Sequence, residues 1–267
     1  MRGFRLPSWA IGILGVIGIV IIWWIISIIV LPADGKYTPV PAPLDVFATI
    51  VDRGIDGYGP AFAVTLQEAG IGYLWGNLIA LFLSGLVLVI PRLEGVLNQV
   101  AVITYCVPIV VVGQIVIIIL GGSKAPGLPS TTAIFLAALS VFFTTVVGTL
   151  LGLKAADAAS LDVVHVYGGS KFTQLRKVRV IAALPSILSA LQIAVPAAFL
   201  GAILGEYFGK IDRGVGPALI GSQISLQSTR VWALFVLCAL VSIVGYAIVG
   251  LIGRLIAPWA YTRRTTV

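Results

Sequence analysis

Apolar residues in this chain come in long runs and show no period-two alternation. A bilayer-crossing helix needs about 20 consecutive apolar residues, whereas a barrel strand shows roughly ten residues of alternating character. Six runs meet the helical requirement: 9–31, 62–90, 96–120, 131–152, 180–206 and 231–256. Pro108 breaks the third, since proline lacks a backbone N–H and crowds the preceding turn. The fifth is expected to kink or be interrupted near Pro185 and Pro196.

The polar segments between the runs differ in character. Residues 32–60 carry five prolines and a short amphipathic stretch, 44–54, expected to lie on a surface. Residues 91–95 (PRLEG) predict a tight turn, and 121–130 (GGSKAPGLPS) a glycine- and proline-rich loop. A third segment, 207–230, precedes the last run. The chain divides into an N-terminal span with an outer proline-rich loop (1–60), a helical core (61–256) and a short tail (257–267).

Composition fixes the class. The chain of 267 residues is 59% hydrophobic and 10% charged, against about 45–50% and 25% in soluble domains. Mean hydropathy is +1.10. The first run, at 23 residues and without a cleavage site before Pro32, is too long for a secretory leader. Cys106 and Cys238 lie in separate apolar runs and predict buried small hydrophobes.

Charge then orients the chain. With the N-terminus inside, Arg2, Arg5, Arg92, Lys154, Lys171, Arg176, Lys177, Arg179, Arg254, Arg263 and Arg264 are cytoplasmic. Lys36, Arg53, Lys124, Lys210, Arg213 and Arg230 are outside, so the positive-inside rule puts both termini in the cytoplasm. The net charge of +7 matches loops facing an anionic leaflet and argues against nucleic acid as a partner.

Several chemistries are missing. No GxxxxGK[ST] phosphate loop occurs, and one histidine with two separated cysteines builds no structural zinc site. No catalytic or metal-binding residue is assigned. His165 lacks a nearby nucleophile elbow. Carboxylates are absent from the midplane, Glu68 and Glu206 falling near the outer ends of their runs, so a proton- or sodium-driven carrier is disfavoured.

The polar stretch from Lys154 to Pro185 carries the most information. Residues 154–167 predict a helix with Leu161, Val164, His165 and Gly168 on one face. Gly168-Gly169 stops it, because glycine takes the left-handed cap conformation freely. Ser170 is placed to cap a second helix, 171–181, carrying Phe172, Leu175 and Val178 on one face and Arg176, Lys177 and Arg179 elsewhere, before Leu184-Pro185 breaks the pattern. The residues support two readings equally. The cations can touch lipid headgroups, or Tyr167 and Phe172 can fill a partner's groove.

This stretch resembles the EAA loop of permeases of binding-protein-dependent ABC importers. Gly152-Leu153 and Asp157 match the lead-in, and Asp162-Val163-Val164 stands at Glu-Ala-Ala. Gly168-Gly169-Ser170 matches the turn, and Pro185 follows Gly168 by 17 residues. Residues 140–154 and 214–242 resemble the fourth span and the Gly-x-Gly segment with last span of the nitrate, sulfonate, taurine and bicarbonate branch, which also serves aromatic and vitamin-precursor substrates. Asp162 is shorter than the family's glutamate, the valines are bulkier than its alanines, and Pro108 stands where relatives often have two prolines.

The resemblance implies an all-α polytopic fold of six transmembrane helices with a cytoplasmic coupling loop. It implies a second permease copy or homologue, P-loop ATPase subunits carrying ATP and magnesium, and an extracytoplasmic solute-binding protein, with no cofactor on this chain. Asp162 would cap or pair near the coupling helix start, Gly168 and Gly169 would set the turn, and Tyr167, Ser170 and Phe172 would touch the ATPase. Arg176 and Lys177 would touch the ATPase or lipid. Candidates for the translocation path are the polar span residues Tyr105, Gln114, Ser140, Thr144, Thr145 and Gln192, with Glu206 facing an outer vestibule. The alternative reading is a stand-alone secondary transporter or channel.

Overall fold

The structure, a computed structural model, describes residues 7–29, 38–125, 127–209 and 211–261. Arg2, Arg5, Asp34, Lys36, Lys210, Arg263 and Arg264 lie outside the described residues, as does the end of the first predicted span and most of the tail. Regular structure among the described residues is helical, apart from one isolated bridge between Ser123 and Ser130.

The first helix, α1 (Ser8–Ile29), is apolar around its whole circumference and leaves most of its isoleucines exposed. Next, α2 (Pro43–Val89) absorbs the stretch expected to lie apart on a surface. It begins on a proline with Asp45 in its first turn, both favourable at a helix N-terminus. Only Gly54 (φ 54°, ψ −160°) leaves helical geometry, a conformation open to glycine.

The third span is two helices, α3 (Leu93–Cys106) and α4 (Ile109–Leu120), bent by 94°. Pro108 sets that bend. It pushes the preceding residue out of the helical region, and Val107 is extended (φ −72°, ψ 125°). After the loop come α5 (Thr131–Lys154), the short α6 (Ala158–Val166) and α7 (Lys171–Gln174). A π-helical turn, Leu175–Arg179, leads into α8 (Val180–Phe208). The chain closes with α9 (Val215–Ile224), α10 (Ser228–Ile256) and α11 (Pro258–Tyr261).

Among the described residues five helices are long and apolar enough to cross a bilayer, or six when the bent α3–α4 pair is taken as one span. The expected break at Leu184-Pro185 is absent. Helix runs from Phe172 to Phe208 through Pro185 and Pro196, as buried membrane helices tolerate when neighbours re-satisfy the freed carbonyls. Cys106 is exposed and Cys238 half-buried, so the expected burial of the two cysteines fails. In a bilayer, apolar runs need no protein partner on every face.

Two compact units divide the chain. In Met1–Gly59 with Ala218–Cys238, Trp23 and Trp232 stack at 5.1 Å, and their indole N–H groups donate to Pro41 O and Pro39 O, each at 3.1 Å. The other unit, Pro60–Pro217 with Ala239–Val267, is organised by α5 against α8. Small residues let these helices approach closely. A methyl added at Gly201 would lie 2.7 Å from Leu136 O, and one at Gly152 would lie 2.9 Å from Ala183 O. In lipid such contact replaces the hydrophobic effect as the packing force. Val146 and Leu150 of α5 close a second cluster with Ala80 and Val87 of α2 and Leu97 and Ala101 of α3.

Candidate functional site

The loop from Ala155 to Arg179 is built by local rules. Asp157 caps α6, its carboxylate accepting from Ser160 N at 3.3 Å. Of the two roles expected of Asp162, the cap falls to Asp157, while Asp162 sits mid-helix and exposed. The predicted start at Lys154 is also displaced, because α5 runs through Lys154 and the chain leaves helical pairing at Ala155. Lys154 instead pairs with Glu94 of α3.

Gly168 ends α6 at φ 74°, and its N–H and that of Gly169 return to His165 O and Val164 O at 2.9 and 2.8 Å. Two nested bonds of this kind satisfy the orphan carbonyls of a helix end. Ser170 then accepts from Thr173 N at 3.3 Å, capping α7. Gln174 reaches back to Leu161 O at 3.0 Å and ties the two arms of the turn together. The loop is therefore ordered by its own hydrogen bonds.

Its surface is apolar. Val166, Tyr167 and Phe172 are 82%, 87% and 70% exposed, and Val163 is exposed beside them. Arg176 and Lys177 are exposed at the edge, and His165 is exposed with no nucleophile beside it. The sequence pointed to Tyr167 and Phe172 but missed Val163 and Val166, whose spacing gave no warning that they face outward. Phe172 also rims a cavity of about 600 Å³ with Pro91, Glu94, Lys154, Leu175 and Arg179.

The span residues proposed for a path separate into two sets. Tyr105 is exposed and stacks on Phe143 at 4.5 Å, and Gln114 is exposed on α4. Thr144 lines an open cavity of about 460 Å³ between α5 and α8 with Ser186 and Ser189, two serines the sequence reading passed over. Thr145, buried, and Ser140 and Gln192, half-buried, are engaged in hydrogen bonds within the protein. Thr145 donates to Asn77 Oδ1 at 2.5 Å, Ser140 to Leu136 O at 2.8 Å, and Gln192 to Tyr246 O at 3.2 Å.

Glu206 departs furthest from expectation. It does not face a vestibule, being 1% exposed. One carboxylate oxygen accepts from Thr65 Oγ1 at 2.5 Å, and the other from Gly216 N at 2.7 Å. Thr65 Oγ1 in turn accepts from Val215 N at 3.0 Å. The arrangement ties α2 to the end of α8 and the start of α9. Glu68, one helical turn after Thr65, is wholly buried and accepts from Ser130 N at 2.6 Å, which anchors the start of α5. Both carboxyl groups act as structural acceptors, and Thr65, Asn77 and Ser130 were not singled out from sequence because their partners lie 62 to 141 residues away.

Apolar helices long enough to cross a bilayer several times define a multi-pass membrane protein. Among the described residues no cluster of histidine, cysteine and carboxylate could hold a metal. Comparison with known proteins is specific. The model of the binding-protein-dependent transport system inner membrane component matches residues 62–260, and the chain belongs to this family, the permeases of type I ABC importers. A Haemophilus influenzae protein named as a probable ABC transporter permease is 29% identical over 183 residues, 68% of this chain and 72% of its own length. The formylaminopyrimidine transport permease ThiX of Halalkalibacterium halodurans is 25% identical over 219 residues, covering 82% and 85%. SsuC of Bacillus subtilis, a permease named for aliphatic sulfonates transport, is 27% identical over 259 residues, covering 97% and 87%. The chain is thus a transport permease rather than an enzyme.

Proposed function

We propose that this chain is the membrane subunit of an ATP-driven importer of the prokaryotic inner membrane, with both termini cytoplasmic. It pairs with a second copy or a homologue and takes its energy from separate P-loop ATPase subunits, which hold the ATP and magnesium. A solute-binding protein delivers a small anionic or heteroaromatic solute from outside. The relatives named for sulfonates and formylaminopyrimidine support that solute range.

The observation that carries the reading is the loop. It is ordered by its own caps, yet Val163, Val166, Tyr167 and Phe172 stay exposed beside exposed cations. Exposed aromatic and aliphatic anchors on a rigid turn are what a groove on another protein binds. Gly168 fixes the angle between the arms, Ser170 starts the second arm, and Arg176 meets the rim of the ATPase groove. Asp162 offers its free carboxylate to a basic residue there. For the path, Thr144, Ser186 and Ser189 put three hydroxyls on the open cavity between α5 and α8.

The test is copurification with the ATPase followed by solute-stimulated ATP hydrolysis in liposomes. Gly168→Pro and Phe172→Glu are each expected to abolish stimulation while the permease remains membrane-inserted. Normal transport by both variants overturns the reading, and transport without any ATPase favours a secondary carrier.

A further inference from the structure

A polar cleft of about 420 Å³ opens within the unit formed by Met1–Gly59 and Ala218–Cys238. Asp45, Thr49 and Arg53 line it from α2, and Ser228, Thr229 and Arg230 from the first turn of α10. Its size is that of a small-molecule site rather than of a protein-docking face.

Guanidinium groups outnumber carboxylates here. Neither Arg53 nor Arg230 forms an ion pair among the described residues, and Arg230 Nε is buried with no hydrogen-bond partner. A buried donor left unpaired costs about 1–3 kcal/mol, so the Arg230 Nε at the cleft wall calls for a partner. The N–H groups of Arg230 and Val231 return to Gln227 O, while those of Ser228 and Thr229 have no backbone acceptor among the described residues. That exposed, positive helix end favours an anion.

The backbone is set for the purpose. Leu226, at φ 54°, occupies the left-handed region that a bulky residue avoids, and it turns the chain into α10 at the cleft wall. The opposite strap is fixed by the indole bonds to Pro39 O and Pro41 O. Asp45 is the sole carboxylate on the lining, since Asp52 and Asp56 of the same helix are exposed elsewhere, so two cations face one acid.

We propose that this cleft binds a small oxoanion, a sulfonate, phosphate or carboxylate head whose oxygens take the free donors of Arg53 and Arg230. The proposal concerns binding by this chain alone and stands or falls independently of any ATPase. A free solute and a lipid headgroup phosphate share this chemistry, and the membrane environment distinguishes them.

The full-length chain, stripped of phospholipid in a maltoside detergent, is titrated with ethanesulfonate and with inorganic phosphate. Binding is followed by calorimetry and by tryptophan fluorescence, with tetramethylammonium as the control. Saturable binding of both anions is expected. Arg53→Gln and Arg230→Gln should each weaken it about tenfold or more. Asp45→Asn should tighten it, a gain that misfolding does not produce. In phosphatidylglycerol nanodiscs, retained sulfonate binding identifies a free solute as the occupant. Sulfonate binding lost in nanodiscs, with phosphatidylglycerol copurifying with the wild type but not with Arg230→Gln, identifies a headgroup. The proposal is overturned if neither anion binds the stripped protein, or if the Arg53→Gln, Arg230→Gln double variant binds as tightly as wild type.

Discussion

The seam between α5 and α8 and the loop that joins them come from one unbroken stretch of chain, yet they use their side chains in opposite ways. In the seam, glycine and alanine bring backbones together and cover the facing apolar groups, among them Leu136, Val141, Ala194 and Ala198. In the loop, hydrogen bonds fix the backbone while the largest apolar groups stay uncovered. The contrast separates two sources of order. Packing holds the seam, so stability resides there, whereas local capping holds the loop, so its apolar surface is free to be used on another molecule.

Breaking the seam should have the largest effect. Gly201→Leu would drive a side chain into Leu136 O and Ala137, and overpacking of this kind costs about 1–3 kcal/mol or more. A marked fall in the thermal midpoint in detergent, with aggregation on size exclusion, is the expected outcome. Glu206→Ala comes next. It leaves the Gly216 N–H without its acceptor, at about 1–3 kcal/mol, while the Thr65 hydroxyl keeps Ala61 O at 3.1 Å as an acceptor. Glu206→Gln should lose less, because its amide oxygen still accepts.

The loop should respond on a smaller scale. Asp157→Ala removes the α6 cap and costs about 1 kcal/mol locally. Hydrogen exchange should accelerate across 158–166 and not in α5 or α8. Val166→Ser with Tyr167→Ser should shift the melting midpoint least, within the roughly 0.5 kcal/mol usual for surface changes, and should still diminish ATPase stimulation. If the double serine variant melted as poorly as Gly201→Leu, the division between seam and loop would be mistaken.

The spans were legible because a run of 20 apolar residues has one stable solution in a bilayer. The turn at Gly168 was legible for a related reason, since adjacent glycines after a helical pattern have a local meaning. What escaped the sequence was non-local. Glu206 reads as an exposed acid at the end of a span until Thr65 is seen to donate to it from 141 positions away. Pro185 reads as a break until the helix around it is found continuous. The cap at Asp157 was within reach, as an aspartate followed by Ala-Ala-Ser. It was masked by good helix formers at Lys154-Ala155-Ala156 that the chain does not use as helix throughout.

The unbroken helix from Phe172 to Phe208 has a mechanical consequence. At about 1.5 Å per residue its 37 residues form a rod on the order of 55 Å long. Phe172 is at one end, and Glu206, pinned through Thr65 and Gly216, is near the other. The π-turn at Leu175–Arg179 interrupts the regular α-helical pairing close to the Phe172 end and would be the place for a joint. A push on the loop is therefore taken up first by that joint. What remains arrives as leverage on a fixed pivot at the far end of the same rod.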